Sequence, residues 1–570
     1  MKKLTKALGR KKYLAAVIPL IMAAHAQGFE FYTGGIEGSF DSQLSVGSSW
    51  RMESQDETLL NGTNSNDGNA NFENGDAFSQ VFKGSHDLQF SYQNFGGFVR
   101  GKYWYDSALK EKDGLAAVAK NGINEELDDT DANNLAKFSG VALLDAFIYG
   151  EFEVADMPLD VRLGKQVVSW GESTFILGGV NSINPIDVSS FRRPGAEIKE
   201  GLIPVNMAFA NMGVTDNLSA EVFYQLEFQE TVIPTCGTYF STNDYAAQGC
   251  ETVIANKQFG LTIGRGDDVK GSDDGQYGMA LRYVSEALGD TEFGFYAMNI
   301  HSRVPIASGI MGTPPTTAAG STDSTYFVSY PEDIQITGLS FAANVGSMAL
   351  SGEVSHKVNV PVQINANDLI GATLSYGTGG GAPQALLDEV LAARNSHAVA
   401  NGGNPTGAVI DGHRLFDVSQ AQLTGIKFFD RVAGASRVTL IGEAGYTFVH
   451  GFDEGDDAIK FGQSGIYEGS DDGFVTQTSY GYRARVVAQY SDVFSGVNLK
   501  PIVAWKHDVK GFAPNPGGAF REGEKSLGFT LKADYLSTYS ASISYTQYMG
   551  GDASVTRDRD FASIAMGMQF

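Results

Sequence analysis

Apolar and polar residues alternate along short stretches of this chain, from near its amino terminus to its last residue. In residues 82–92 one face carries Phe82, Leu88, Phe90 and Tyr92, and the opposite face carries only Lys, Ser, Asp and Gln. Successive side chains of a β-strand point to opposite faces, so this pattern places one face against an apolar surrounding and the other against water. The chain is therefore predicted to be all-β.

The connections between these stretches are sorted by length. Short turns such as 94–96 and 155–158 alternate with long stretches such as 51–80 and 361–414. Short periplasmic turns and long external loops are typical of an outer-membrane barrel, whereas a soluble β-sandwich or propeller would not sort its connections by parity. We predict a transmembrane antiparallel β-barrel of about 18 strands with long external loops. The predicted strands are 36–50, 81–93, 97–106, 142–153, 158–168, 204–213, 217–230, 276–287, 290–303, 333–346, 347–360, 415–430, 436–451, 475–491, 496–509, 524–537, 539–550 and 561–570.

The amino terminus has the features of a cleaved signal peptide. Residues 1–12 are basic, residues 13–24 are an apolar run, and Ala24-His25-Ala26 fits a cleavage site. The apolar run is shorter than the ~20 residues of a spanning helix. We expect residues 1–26 to be removed and residues 27–570 to form one barrel domain in a Gram-negative outer membrane, in contact with its lipids and lipopolysaccharide.

Composition and motifs exclude several classes of function. The chain has 41 Lys and Arg against 66 Asp and Glu, a net charge of −25, which disfavours a nucleic-acid partner. The sequence has no G-x-S-x-G elbow, H-E-x-x-H pair or P-loop. We predict no enzyme, no cofactor and no metal site, with an outer-membrane hydrolase built on a distant Ser/His pair as a minor alternative.

Charged residues lie on the strand face opposite the apolar one. A cation facing lipid at the bilayer midplane costs about 2–4 kcal/mol, so these side chains are expected to line the lumen. The candidates for a solute path are Arg100, Lys102, Arg162, Arg483, Arg485, Lys500, Lys506 and Lys532, with Lys427 and Glu443 as weaker candidates for the same face. The basic residues from 483 to 532 either form a ladder that guides an anionic solute or pair with acids and stiffen the wall.

Two cysteines, Cys236 and Cys250, lie 14 residues apart in a polar stretch. Neither a C-x-x-C motif nor histidine spacing for zinc is present. We predict a disulfide bond between them in an external loop, worth about 3 kcal/mol in the chain-entropy model.

The alternation fails between residues 164 and 200, in a stretch too long for a turn and too apolar for a freely solvated loop. Irregular backbone cannot face lipid. We therefore predict that residues 169–203 fold into the barrel and narrow it; the alternative is a cap over the barrel mouth. The constriction is predicted to contain Trp170, Glu172, Asn181, Asn184, Arg192, Arg193, Glu197, Lys199 and Glu200.

These residues have different expected roles. Trp170 is the candidate aromatic gate, and the two asparagines are expected in tight turns. Shielded charges need partners, and the basic members are expected to pair with the acidic ones. The expected partners are Arg192, Arg193 and Lys199 with Glu172, Glu197 and Glu200.

The same stretch carries the motifs VVSWGES at Val167–Ser173, GGVNSINPID at Gly178–Asp187 and RRPGAEIKEG at Arg192–Gly201. In these motifs, and over essentially its whole length, the chain resembles a Gram-negative outer-membrane family catalogued as a domain of unknown function. Leu177 stands where a proline would be expected. The resemblance implies a channel for hydrophobic or amphiphilic molecules. It also implies two partners, a periplasmic carrier lipoprotein and an RND-type inner-membrane transporter.

Three functions follow as hypotheses. The first is an outer-membrane transport barrel for a hydrophobic or amphiphilic, anionic small molecule. The second is a substrate-selective porin for small carboxylates, and the third is an adhesin or structural barrel whose loops carry the function. An apolar pocket with a closed constriction favours the first hypothesis, and an open, water-filled lumen favours the second.

Overall fold

The structure is a computed structural model that describes residues 28–112, 127–258, 260–313, 321–374, 382–455, 458–462 and 473–570. The predicted signal peptide lies outside the described residues. A helical pattern in residues 108–120 lies mostly outside them as well.

Eighteen antiparallel strands of the described residues form a closed barrel. They are β1 (Ile36–Arg51), β2 (Ala77–Tyr92), β3 (Phe95–Asp106), β4 (Ser139–Val154), β5 (Met157–Gln166), β6 (Val205–Thr215), β7 (Leu218–Gln225), β8 (Tyr277–Ser285), β9 (Thr291–Ile300), β10 (Ile334–Val345), β11 (Met348–Gln363), β12 (His413–Asp430), β13 (Arg437–Val449), β14 (Thr478–Phe494), β15 (Val497–Lys510), β16 (Lys525–Tyr535), β17 (Tyr539–Met549) and β18 (Phe561–Gln569).

The sheet closes because its first and last strands pair with each other. The register of β1 and β18 runs from Gln43 opposite Gln569 to Arg51 opposite Phe561. A short strand, Phe29–Thr33, pairs with the beginning of β1 just beyond the chain's last residue. Closure removes the exposed sheet edges that would otherwise invite aggregation. Each of the eighteen predicted strands overlaps one barrel strand, so the predicted fold class is confirmed.

The connections follow the predicted parity. The turn between β2 and β3 has two residues, Gln93 and Asn94, and the turn between β10 and β11 also has two, Gly346 and Ser347. The connection between β11 and β12, in contrast, spans residues 364–412. The barrel therefore has a short-turn end and a long-loop end, and these two names are kept below.

Alternation sorts the strand residues into an outward and an inward face. On β11, Val354 is 56% exposed, whereas its neighbours Glu353 and Ser355 are 4% and 1% exposed. Large apolar side chains with similar exposure lie on other strands around the barrel, for example Leu163, Leu339 and Ile543. A continuous apolar belt of this kind belongs in lipid rather than in water.

Aromatic side chains flank the belt at both ends. Tyr224, Tyr446 and Tyr480 are exposed near the long-loop end, and Phe152 and Phe494 are exposed near the short-turn end. Such girdles mark the two membrane interfaces of a barrel. Among the described residues, no helix combines the length and apolar character needed to cross a membrane.

The long loops have structure of their own. Five strands of the described residues form a second sheet at the long-loop end: Thr252–Asn256, Leu261–Arg265, Ile306–Ile310, Ser321–Ser329 and Val409–Ile410. The helices of the described residues in these connections are Glu57–Leu60, Asp67–Ala70, Ser107–Lys110, Val188–Arg192, Ile198–Gly201, Ala366–Leu374 and Gln384–Ala400, and a 3₁₀ helix, Glu286–Leu288, lies in the short turn between β8 and β9. Gln384–Ala400 coincides with a stretch of the sequence from Pro383 to His397 that is rich in Ala and Leu and has a helical pattern.

Cys236 and Cys250 are bonded to each other in the long connection between β7 and β8, as predicted. Their Cα atoms are 5.9 Å apart.

Candidate functional site

Residues 169–203, here called the inward segment, connect β5 to β6 and contact the inner faces of strands on opposite sides of the barrel. Val180 N donates to Glu353 on β11, and Ile176 N donates to Glu443 on β13. Lys83 on β2, far around the barrel from these strands, pairs with Glu200. A segment that reaches inward side chains on such widely separated strands must cross the lumen.

Two inward carboxylates hold the backbone of the first part of the segment. Glu353 accepts hydrogen bonds from Glu172 N (2.6 Å) and Val180 N (2.9 Å). Glu443 accepts from three consecutive amides, Thr174 N, Phe175 N and Ile176 N, at 2.5–2.8 Å. Both carboxylates are almost completely buried. Backbone amides therefore solvate two buried charges, an arrangement that makes strong, charge-assisted hydrogen bonds.

The close approach of Glu353 requires glycine in the segment. A β-carbon at Gly179 would overlap Glu353 Oε1, and one at Gly171 would overlap Glu353 Oε2. Gly171 also has a φ of +87°, which L-residues rarely adopt. The glycines of the WGES and GGV motifs thus make room for the carboxylate.

Trp170 is fully buried against the wall. Its ring lies 5.1 Å from that of Phe223 and 6.0 Å from that of Tyr296, and its Nε1 donates to Glu221 at 2.6 Å. Val180 and Ile183 of the segment join the same buried cluster. The structure thus places Trp170 as a wedge that fixes the segment to strands β6–β9, rather than beside an open passage as a gate.

The second part of the segment is fixed by side-chain pairs. Lys102 Nζ, which pairs with Asp187 at the end of the first part, also donates to Ser190 Oγ at 2.9 Å, and all three side chains are buried. Lys83 pairs with Glu200, and Gln43 Nε2 donates to Glu197 at 2.6 Å. These three contacts come from the neighbouring strands β1 to β3.

The predicted charge pairs within the segment form in one case only. Lys199 pairs with Glu197 at 3.5 Å. Glu200 instead takes Lys83 from the wall, and Glu172 contributes its backbone amide to Glu353. Glu200 pairs with the wall and not within the segment because it lies on the buried side of the segment, which the wall lysine Lys83 reaches.

The two asparagines tie the segment to itself and to its ends. Asn181 Nδ2 donates to Ser169 Oγ at 3.0 Å. Asn184 accepts from Val168 N and donates to the carbonyls of Gln166 and Ile203. Asn184 therefore joins the two strands between which the segment is inserted.

The adjacent arginines Arg192 and Arg193 have different surroundings. Arg193 donates to the carbonyls of Leu135 and Lys137 and lies 4.3 Å above the ring of Trp104. The side chain of Arg192 is exposed and forms no ion pair within the described part of the chain. Its guanidinium stacks 4.2 Å from the Phe240 ring and donates to Tyr548 Oη at 3.4 Å.

Arg192 projects into a pocket of about 360 Å³ inside the barrel. The pocket lies between the inward segment, the loop that contains Phe240, and the inner wall formed by β15 and β17. Its lining combines apolar and cationic side chains. The apolar part includes Val188, Ile233, Pro234, Phe240, Phe520 and Val555, and the charged part includes Arg192, Lys506, Asp508, Arg521 and Glu524.

The second inward cation of the pocket is already paired. Lys506 Nζ lies 2.7 Å from Glu524 and 3.0 Å from Asp508. Glu524 lies in the connection just before β16. Burial alone would raise the pKa of Glu524, but the charges of Lys506 and Arg521 outweigh burial and lower it to about 2. Glu524 is therefore a carboxylate at any physiological pH and neutralises Lys506. Arg192 and Arg521 form no ion pair in the described residues, and of these two only Arg192 is exposed, so Arg192 is the more accessible cation for a ligand.

The predicted basic ladder is largely neutralised. Arg483 pairs with Asp508 at 2.7 Å, and Lys500 pairs with Asp534 at 2.8 Å. Arg485 and Lys532 form no ion pair in the described residues, and the buried Nε of Arg485 has no hydrogen-bond partner there. Most of the ladder thus braces the wall, as in the second interpretation of the sequence.

Of the remaining predicted lumen residues, Arg100, Arg162 and Glu443 lie on the inner face, whereas Lys427 does not. Arg100 forms a bidentate pair with Asp87 and a further contact with Asp145, so it stiffens β2 to β4. Arg162 lies 5.3 Å from the Phe209 ring. Lys427 has the same parity as the exposed Leu423 and so faces outward near the short-turn end, whereas Glu443 faces inward.

Sequence reasoning missed several site residues, among them Lys83, Asp187, Glu221, Glu353, Phe240 and Tyr548. Glu353 had a signal, because it is an acid in the middle of a predicted strand. Phe240 had none, because it lies in a loop that folds into the pocket.

The fold and the site define a membrane-spanning β-barrel with an inward segment and an internal amphiphilic pocket. The chain belongs to the family described as "Protein of unknown function (DUF1302)", whose model matches residues 10–570. It matches no curated protein.

Several solved structures are similar to this chain at low sequence identity. Acinetobacter baumannii OccAB1 is 11% identical over 94% of this chain and 96% of its own, with a TM-score of 0.41. Pseudomonas aeruginosa OpdK, solved with vanillate, is 8% identical over 93% and 98%, with a TM-score of 0.37. P. aeruginosa OccK2 (OpdF), in complex with glucuronate, is 10% identical over 94% and 97%, with a TM-score of 0.38. Values this low assign no ligand to this chain.

Proposed function

We propose that the chain is an outer-membrane channel for small amphiphilic anions, working without covalent chemistry. The closed barrel, its apolar belt and the parity of its connections support a location in the outer membrane, with the long-loop end outside. The inward segment supports selective passage rather than free diffusion, because it crosses the lumen.

One observation supports a small amphiphilic anion as the solute. The exposed guanidinium of Arg192 lies in a pocket whose other walls include Val188, Ile233 and Phe240. A carboxylate, sulfonate or phosphate group would bind the guanidinium in place of water. The apolar walls would cover the hydrophobic part of the same molecule.

The two parts of the segment are held by different contacts, and this difference supports a proposal for which part moves to let the solute pass. Residues 188–203 are held to β1–β3 by side-chain contacts, whereas the amides before them are held by Glu353 and Glu443. Exchange of side-chain partners is the easier movement. We therefore propose that residues 188–203 move while the preceding part stays in place.

A selective porin for small carboxylates is the second candidate. Arg485 and Lys532, on the inner faces of β14 and β16, have no ion pair in the described residues and favour it. The paired state of Arg483, Lys500 and Lys506 is against it, because a ladder that carries its own counter-ions attracts anions weakly.

The partners expected from the sequence remain predictions. Outer-membrane lipids and lipopolysaccharide would surround the belt. A periplasmic carrier lipoprotein and an RND-type transporter rest on the family resemblance alone.

Isothermal titration on the purified protein tests the pocket. The probe is naphthalene-2-sulfonate, and the neutral comparison is naphthalene-2-sulfonamide. Arg192→Gln should weaken sulfonate binding about tenfold, because a charge-assisted hydrogen bond is lost, and should leave the sulfonamide unchanged.

Arg437→Gln is the matched control, because Arg437 forms an exposed pair with Asp430 far from the pocket. If Arg192→Gln and Arg437→Gln bind the sulfonate equally well, the pocket is not the anion site.

A further inference from the structure

The outward face of the barrel has an apolar groove of about 690 Å³ across strands β9 to β15. Its floor is built from small outward residues, Gly352, Ala421 and Ala444. Its walls include the exposed side chains of Leu339 and Tyr446. The groove is therefore part of the belt that faces lipid, and the barrel wall separates it from the internal pocket.

A polar cluster lies directly above this groove on the same strands. Ser419 Oγ is 3.0 Å from His356 Nδ1 and 2.8 Å from His450 Nε2. Ser419 is two residues from Ala421 of the groove floor, towards the long-loop end. His356 Nε2 and His450 Nδ1 have no hydrogen-bond partner among the described residues.

The height of the cluster matches a membrane interface. Ten residues of β12 separate Ser419 from Phe429, an exposed aromatic at the short-turn end. At about 3.3 Å per residue and a tilt of roughly 40°, this is about 25 Å, the usual height of the apolar band. The groove thus lies in the hydrocarbon of one leaflet, and the cluster lies at the level of its headgroups.

We infer that the groove and this cluster bind one membrane lipid from the leaflet at the long-loop end. One acyl chain fills the groove, and an ester or phosphate oxygen of the headgroup accepts a hydrogen bond from the free N–H of the histidine to which Ser419 donates. The groove is continuous with the lipid-facing belt, so a lipid is the molecule that reaches it. The inference does not depend on the solute proposed above.

Photo-crosslinking tests the site on the whole protein in phosphatidylethanolamine–phosphatidylglycerol vesicles. The probe is a phosphatidylethanolamine with a diazirine in one acyl chain, and peptide mapping locates the adducts. Adducts should concentrate in the peptides that contain residues 419–423 and 444–446.

Two variants should remove these adducts. Ala421→Trp fills the groove, and His356→Ala with His450→Ala removes the headgroup contacts; each should reduce the groove adducts about tenfold. The heat-modifiable gel mobility of the barrel checks that each variant folds.

Two matched controls should leave the adducts unchanged. Ser42→Ala alters another Ser–His pair on the barrel strands, in which Ser42 Oγ is 2.9 Å from His86 Nδ1. Ala541→Trp adds the same bulk to an exposed position of β17 outside the groove. Adducts spread evenly around the belt, unaffected by Ala421→Trp, would mean that only ordinary surrounding lipid contacts this wall.

Discussion

The two parts of the inward segment are held inside the barrel by different chemistry. In residues 169–187, backbone amides donate to Glu353 and Glu443, and Trp170 is wedged into the wall. In residues 188–203, Glu197 and Glu200 are held by wall side chains, and Arg192 projects into the pocket.

This difference assigns a role to each part. Five amides of the first part donate to two buried carboxylates, and removing such an acceptor leaves several donors unsatisfied at once. A side-chain ion pair in the second part can separate while the backbone keeps its own bonds. The first part is therefore the fixed anchor, and the second part is the one that can respond to a solute.

Of the variants that test this difference, the one that removes the Glu443 carboxylate should change the channel conductance most. Glu443→Ala leaves three amides without their acceptor, at a local cost of about 3 kcal/mol or more. We expect a higher and noisier single-channel conductance in planar bilayers. Glu443→Gln, which keeps one carbonyl oxygen as acceptor, should lie between this variant and the wild type. An unchanged conductance in Glu443→Ala would show that the first part is not an anchor of the closed state.

Loss of an ion pair in the second part should have a smaller effect. Lys83→Met leaves Glu200 buried without its ammonium partner, which costs about 3 kcal/mol within a part that has other contacts. We expect brief opening events with a nearly normal mean conductance, recorded in the same bilayers. Lys199→Met, which removes a more exposed pair with Glu197, is the control and should behave like the wild type.

The pH dependence of sulfonate binding tests the assignment of Arg192 as the cation that binds the anion. Glu524 has a pKa of about 2, so its charge should not change between pH 5 and pH 8, and it adds no pH dependence to sulfonate binding. In Lys506→Gln the main influence that lowers this pKa is gone, and burial raises the pKa towards or above its ordinary 4.5.

The ionised Glu524 of Lys506→Gln should then repel the sulfonate at pH 7 and weaken binding roughly fivefold. Binding should recover as the pH falls through the raised pKa, because the carboxyl becomes neutral. Titration calorimetry at a series of pH values measures this. A wild-type affinity that itself changes steeply between pH 5 and pH 8 would contradict the assignment of Glu524.

The disulfide should matter least for passage. Cys236→Ser with Cys250→Ser releases a bond in the connection between β7 and β8, worth about 3 kcal/mol in the chain-entropy model. Faster proteolysis of that loop is expected, with an unchanged conductance and gel mobility of the barrel. A barrel that fails to fold would show that the loop supports the wall.

The alternation of residues was sufficient to predict the barrel, because a two-residue period leaves little freedom of register in a sheet with one face in lipid. It also placed Arg100, Lys500 and Lys506 on the inner face. It could not show that Asp87, Asp534 and Glu524 neutralise these cations, because pairing depends on register between strands.

The interior of the segment was less predictable. Its apolar content predicted shelter, but Trp170 faces the wall because the cluster around Phe223 and Tyr296 offers it a dry site and Glu221 takes its N–H. Arg192 and Arg193 have different surroundings because of the direction of one short helix, Val188–Arg192. No sequence pattern predicts that direction.

A crystal structure with an iodinated naphthalene sulfonate tests the central claim most directly, because the anomalous signal of iodine locates the probe. The account predicts one strong site in the pocket between Val188 and Phe240, with the sulfonate within hydrogen-bond distance of Arg192. Iodine bound beside Arg485 and Lys532, with an empty pocket at Arg192, would contradict the account and support the carboxylate porin instead.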